Sequence, residues 1–303
     1  MTVLVIGNAT VDVSFEVDHL PEPGETLLAR SRLLDAGGKG LNQAVVARRA
    51  GAAVVYVAAI GDDPDAEVIR RRLAGEGMDE DHLLVRSGAT DQSIIYLGPG
   101  GENSIVSTAG MAASLRAGEA AGLVEALGAG DILLMQGNLS RETTQECLAR
   151  ARGRGARTVL NPAPIAFDYG GLWPLVDVAV VNEVESRILS GVSDPAHAAR
   201  RLIAFGVGAV VVTIGADGAF LVTRDAATSV PAPRVEAVDT TGAGDVFCGV
   251  LVAALAHGRL LAEAVPRAVA AASLSVTRRG TSSAFPTAPE LAHLEHGRAT
   301  PRE

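Results

Sequence analysis

Aromatic side chains are scarce: one Trp, three Tyr and six Phe make up 3% of the 303 residues. A role that depends on stacking a nucleobase between rings therefore has little to build on. Cationic side chains are outnumbered, 26 Lys and Arg against 35 Asp and Glu, for a formal net charge of -9. That balance argues against nucleic acid as a partner, because phosphate-backbone binding needs clustered Lys and Arg to displace counterions. It also means that any nucleotide site must gather positive potential locally, from amides, a few cations and bound metal. Cysteine occurs twice, Cys147 and Cys248, too few for a disulfide framework and both in stretches of helical apolar spacing, where a buried thiol is the ordinary reading. The six histidines (His19, His82, His197, His257, His293, His296) are scattered, and no His-based metal site is expected. No apolar run reaches membrane-spanning length, and Met1–Gly7 reads as a first strand rather than a signal peptide, which together point to the cytoplasm.

What is present alternates. Short apolar β-rich runs (Val3–Ile6, Val54–Ala59, Ile132–Gln136, Thr158–Leu160, Val178–Val181, Ala209–Thr213) are separated by stretches of helical period such as Asn42–Ala50, Asp65–Ala74, Arg141–Arg152 and Pro195–Phe205. This rhythm predicts an α/β fold, a mostly parallel sheet with helices on both faces, in one domain spanning 1–303. Two regions depart from it. Residues 11–34 and 92–107 alternate like strands and are joined by Pro-Glu-Pro-Gly and Gly-Pro-Gly-Gly-Glu-Asn turns, so they predict a small antiparallel β lid. Such a lid could close over a ligand, and its exposed strands could pair with a second copy to give a homodimer. The polar end, 293–303, is expected to fray.

The most informative stretch is Val238–Phe247. Beyond it Phe247, Val250, Leu251, Ala254 and Leu255 recur at helical spacing, which sets Gly242-Ala243-Gly244 at a helix N-terminus. The free amides of Ala243, Gly244 and Asp245 are then expected to converge on an anion, helped by the helix dipole. An Asp in a first helical turn is ordinarily a cap, yet beside a phosphate pocket it can accept the proton of an attacking hydroxyl. No Gly-Lys-Ser/Thr follows, so this is not a Walker A loop, and neither it nor Gly7-Asn8-Ala9 has the spacing of a dinucleotide fingerprint. A second constellation, Gly37–Ala44, is ordinarily a glycine-rich strand-to-helix turn. Functionally, Gly38 would allow close backbone approach, with Lys39 and Asn42 as donors toward hydroxyls.

Together these residues resemble the ribokinase-like carbohydrate kinase family. The resemblance runs over nearly the whole chain through Gly61-Asp62-Asp63, Asn161-Pro162-Ala163-Pro164, Asn182-Glu183-Val184-Glu185, Thr213–Gly218 and Val276–Gly280, in the family's order. It implies an ATP-dependent kinase acting on a hydroxymethyl group of a small sugar, with D-ribose or a related pentose or ketose as leading acceptor. It implies Asp245 as catalytic base, with Gly242, Ala243 and Gly244 as anion hole, and Asp12, Gly38, Lys39 and Asn42 around the sugar. Asn182 and Glu185 would help place ATP and hydrated Mg2+, although a strand end and helix cap is their ordinary reading. Thr213, Gly215 and Gly218 would line the nucleotide. Asp239, Thr241, Ser275, Arg278 and Gly280 match a monovalent cation site, usually K+, beside the anion hole.

The chain also departs from the family's pattern. Thr10 replaces an Asn in Gly7–Asp12, Asn138 stands where ribokinases carry a Glu toward the sugar, and Val269 replaces a polar residue near adenine. With Thr10 and Asn138 at the acceptor, phosphoryl transfer stays intact while D-ribose itself becomes a poorer expectation. Nucleoside kinase activity, or a catalytically silent sugar- or nucleotide-binding regulator on the same fold, are the alternatives.

Overall fold

The computed structural model describes residues 1–99 and 103–295. In chain order the strands are β1 (Thr2–Ile6), β2 (Thr10–Glu16), β3 (Ser31–Gly37), β4 (Ala53–Gly61), β5 (Leu83–Arg86), β6 (Gln92–Leu97), β7 (Asn103–Ser107), β8 (Ile132–Gln136), β9 (Arg157–Asn161), β10 (Val178–Asn182), β11 (Ala209–Thr213), β12 (Ala219–Thr223) and β13 (Ala227–Val230). The helices are α1 (Lys39–Arg49), α2 (Pro64–Gly75), α3 (Gly110–Ser114), α4 (Ala117–Ala126), α5 (Arg141–Gly153), α6 (Glu183–Ser190), α7 (Pro195–Ala204), α8 (Ala243–Ala256), α9 (Leu261–Ser275) and α10 (Ala288–Glu295).

Nine strands form the main sheet in the order β13-β12-β11-β10-β9-β8-β1-β4-β5. Every pair from β5 to β11 is parallel, and β12 and β13 close one edge as antiparallel strands. The pleat explains the continuous apolar runs. Val3 and Val5 of β1 point into a core shared with α1, α2, α8 and α9, while Leu4 and Ile6 point into a second core shared with α4, α5 and α7.

A separate four-stranded sheet, β3-β2-β6-β7, stands off the main one as the small lid. Its outer pairs are antiparallel, as hairpins require, and its central pair, β2 with β6, runs parallel. Within the expected turn of the second hairpin, residues 100–102 lie outside the described ones. At the other end of the chain, the segment read as a fraying tail begins inside α10, and residues 296–303 are not described.

α8 is the pivot of the site. From Asp245 to Ala256 it is buried throughout, and it packs on α1 at Gly249, where an added Cβ would lie 2.6 Å from Val46 Cβ and 2.8 Å from the Gln43 carbonyl oxygen. A side chain there would push the two helices apart. Gly249 sits one turn beyond Asp245, so this close crossing brings the first turn of α8 against the amide-bearing turn of α1.

Candidate active site

The sequence-identified residues gather at the C-terminal ends of the parallel strands. β1 leads to Thr10 and Asp12, β8 to Asn138, β10 ends at Asn182 and β11 at Thr213. This is the edge of an open α/β sheet where ligands bind.

Gly242 caps α8 in the left-handed region, φ 77°. A Cβ there would be strained and would also lie 2.8 Å from the Phe285 ring. The tight turn changes the expected anion hole. Asp245 N–H donates back to the Gly242 carbonyl at 2.9 Å, and Ala243 N–H reaches the Thr240 carbonyl at 3.3 Å. Two of the three expected amides are thus engaged, because a left-handed cap folds the first turn back on itself. Among the described residues the Gly242 and Gly244 N–H groups have no acceptor, and these are the donors left for an anion.

The Asp245 carboxylate is 5% exposed and clamped at both oxygens. Asn42 Nδ2 donates to Oδ2 at 2.9 Å, and Gln43 Nε2 donates to Oδ1 at 2.9 Å. Asn42, expected to face sugar hydroxyls, is therefore engaged by the carboxylate. Lys39, the first residue of α1 after Gly38, places its Nζ 3.9 Å from Asp245 Oδ1 with its side chain 37% exposed. The Asp245 carboxylate, more than Glu185, holds this ammonium above its ordinary pKa against the opposing effect of burial.

On the lid side Asp12 and Asp35 face each other across the β2/β3 register. Burial raises the Asp12 carboxyl above its ordinary pKa; hydrogen bonds from Thr10 and Ser93 oppose the rise, while Asp35 and Asp245 add to it. Thr10 is 1% exposed and gives its hydroxyl to Asp12, so it reaches a ligand through Asp12 rather than directly. Ser282 donates to Asp35 and so fastens β3 to the loop after α9. Between these elements lies a pocket of about 280 Å³ lined by Asp12, Asp35, Ile95, Asp239, Thr241 and Arg279 among others. Asn138 is half-buried after β8, and its Oδ1 is buried without a partner, an acceptor left unused by the protein.

Asn182 and Glu185 form a complete capping box on α6. Asn182 Oδ1 accepts from Glu185 N at 2.8 Å, Glu185 Oε2 accepts from Asn182 N at 2.9 Å, and Asn182 Nδ2 donates to Glu185 Oε1 at 3.0 Å. Thr213 ends β11, and Gly215 and Gly218 frame the tight turn into β12. Val269 is buried in the core face of α9. Asp239 joins two loops: its Oδ1 accepts from Thr241 N at 2.9 Å and its Oδ2 from Gly280 N at 3.0 Å. Ser275 Oγ donates to the Ala272 carbonyl, and the Arg278 guanidinium is paired with Glu290, so Arg278 can offer an ion only its main-chain carbonyl.

Three residues that carry the site were not singled out for a role from sequence: Gln43, Gln136 and Asn161. Gln136 ends an otherwise apolar strand and Gln43 lies on the buried face of α1, and a polar group in such a place is the signal that could have marked them.

The fold and this edge define a phosphoryl-transfer enzyme. The family model described as pfkB family carbohydrate kinase matches residues 2–288. Ribokinase of Haemophilus influenzae is 34% identical over 302 residues, covering 97% of this chain and 99% of its own. Deoxyribokinase of Salmonella typhi is 32% identical over 294 residues, covering 95% and 96%. A ribokinase of Arabidopsis thaliana solved with ribose and ATP superposes with a TM-score of 0.86 at 26% identity, covering 96% of this chain and 97% of that one. The chain belongs to the pfkB family of carbohydrate kinases.

Proposed function

We propose that the protein transfers the γ-phosphoryl group of ATP to the hydroxymethyl oxygen of D-ribose or a related pentose, with Asp245 as general base. The observation that carries this is the clamped Asp245 carboxylate beside the Gly242 and Gly244 amides left unpaired among the described residues, in a turn whose Thr241 lines the pocket under the lid. Asp245 takes the hydroxyl proton as the oxygen attacks phosphorus, and the two amides with Lys39 offset the charge on the transferring group while ADP leaves. Asp12 and Asn138 Oδ1 accept hydrogen bonds from sugar hydroxyls and so orient the sugar. Ala243 contributes its small size rather than its amide.

The residues fit two cations differently. Among the described residues no cluster of three or more His, Cys, Asp or Glu could hold a metal, so Mg2+ would take most of its ligands from phosphate and water, with Glu185 as the nearby carboxylate. The Asp239 hinge between the 239–241 and 275–280 loops suits K+ held by carbonyl oxygens, and an ion there would stiffen the anion hole. We place the enzyme in the cytoplasm; among the described residues no helix is long and apolar enough to cross a membrane. The lid strand β7 is exposed along its length, Val106 at 67%, and supports pairing of two copies, which sedimentation would test.

The proposed activity is tested by ADP release over pentoses, hexoses, sugar alcohols and nucleosides, with and without potassium. Release above the ATP-only rate with a pentose supports it. Release with none of the panel overturns it.

A further inference from the structure

The base is held by an ordered chain of side-chain amides that reaches back to the main chain. Asn161 Nδ2 donates to the Val180 carbonyl at 2.9 Å. A carbonyl can only accept, so Asn161 must turn its amino group toward β10 and its Oδ1 toward α1. That oxygen receives Gln43 Nε2 at 3.1 Å, and the same nitrogen gives its second hydrogen to Asp245 Oδ1 at 2.9 Å. Gln43 Oε1 accepts from Gln136 Nε2 at 2.8 Å. Gln43 and Gln136 are fully buried, at 0% exposure, so water cannot substitute for any link.

Reversing the Gln43 amide would set its oxygen against both the Asp245 carboxylate and Asn161 Oδ1, and its NH2 against the Gln136 NH2. Each link therefore permits one orientation, and the order runs from β9 through α1 to the first turn of α8, with Gln136, whose Oε1 is buried without a partner, completing the set from β8. Asn42, the preceding residue, grips the other oxygen of the same carboxylate. Two consecutive amides thus fix both its position and the rotation of its plane.

We propose that Gln43 is a positioning residue for phosphoryl transfer: locked by Gln136 and Asn161, it presents a neutral donor that fixes the Asp245 carboxylate in plane without neutralising it. The proposal rests on the reading of Asp245 as base. A cation in the place of Gln43 would bind the carboxylate more strongly but would also lower its basicity. A neutral amide orients the carboxylate and costs it less basicity than a cation would. Lys39 stands farther off and more exposed, which leaves the carboxylate's remaining lone pairs for a hydroxyl proton.

Gln43→Met keeps the length of the side chain and removes the donor. Its kcat should fall roughly 10- to 100-fold, within the usual worth of a placed proton acceptor, while KM for ATP and for the sugar stay within about threefold. Gln43→Glu sets a second carboxylate against Asp245, so the acid limb of its kcat–pH profile should move to higher pH by about one unit or more. Gln136→Leu removes the lock from Gln43 without touching Asp245; a smaller kcat loss with unmoved KM values is expected, and this variant stands in should Gln43→Met fail to fold. Asp245→Asn is the reference, with kcat down by at least ~10²-fold and ATP binding kept. If Asp245→Asn collapses turnover while Gln43→Met stays near wild type and the Gln43→Glu profile superimposes on it, the positioning role is overturned and the base reading survives. Turnover retained by Asp245→Asn removes the base assignment and the positioning role with it.

Discussion

The Thr10 hydroxyl donates to Asp12 Oδ1 at 2.7 Å from the same lid strand, so a residue expected at the acceptor is instead a support for Asp12. Thr10→Val keeps the shape and removes the donor. Acceptor KM should rise roughly tenfold, the worth of one hydrogen bond to a buried charged group, with KM for ATP unchanged. An unaltered acceptor KM would separate Thr10 from recognition.

Asp12 gives a pH signature. Its carboxyl is raised above its ordinary pKa, chiefly by burial, so the folded chain holds its proton more tightly than the unfolded chain does. Stability from this group is present at low pH and is lost as pH rises through the folded value. Asp12→Asn should therefore melt higher than wild type at pH 7, by ~2 °C for each ~0.5–1 kcal/mol gained, and the gap should close on acidification. The same variant should bind the sugar worse. A variant that melts lower at pH 7 contradicts the burial argument.

Glu290 and Arg278 work in the opposite sense. The guanidinium bond, with help from Thr287, lowers the Glu290 carboxyl to about 2. Its contribution is present above the ordinary value and is lost as pH falls from about 4.5 toward 2. Both side chains are about a third exposed (33% and 35%), so screening limits the effect to under ~1 kcal/mol. Glu290→Gln should flatten the acid limb of the melting curve in that window, as thermal scans at pH 3 and 5 would show.

Gly242 and Gly244 should fail differently. An added Cβ at Gly244 meets nothing within 4 Å, whereas at Gly242 it meets Phe285 and requires a left-handed residue. Gly244→Ala should leave the melting temperature near wild type while its methyl occupies the approach to the free amides, lowering kcat by about 10-fold or more. Gly242→Ala should lose ~1 kcal/mol or more of stability besides activity. Full activity in Gly244→Ala would remove the anion hole from this turn.

Potassium should raise turnover over sodium or Tris at matched ionic strength, since an ion among these carbonyls would add to the Asp239 bridge and the Val276 carbonyl in tying the 239–241 loop to the 275–280 loop. Asp239→Ala should abolish the response. Equal rates in all three buffers would exclude the ion.

The strand–helix rhythm was legible because β1, β8, β10 and β11 are buried on both faces and carry unbroken apolar runs. Short β5, half-buried and bounded by polar residues, carried no such signal. At the site, Asp245 and the glycines announced themselves by local spacing. Gln43, Gln136 and Asn161 did not, because their roles arise only when α1, β8 and β9 meet 93 to 118 residues apart in sequence. The expectation of three convergent amides failed for a local reason: helix periodicity says where α8 begins, not that Gly242 folds its first turn tight.

Three residues, Gly7, Asn8 and Ala9, separate β1 from β2, and Gly38 alone separates β3 from α1. Asn8 is pinned besides, its Oδ1 taking Gly40 N–H and its carbonyl taking Leu41 N–H and the Tyr56 hydroxyl. The small sheet is thus a lever whose fulcrum lies beside the first turn of α1. It is held at that base, and along strands of seven residues, ~23 Å, a tilt that moves Asp12 by a fraction of an ångström moves the Glu16 end about three times as far. A reporter dye near Glu16, which lines the far end of the pocket between the two sheets, would read its occupancy.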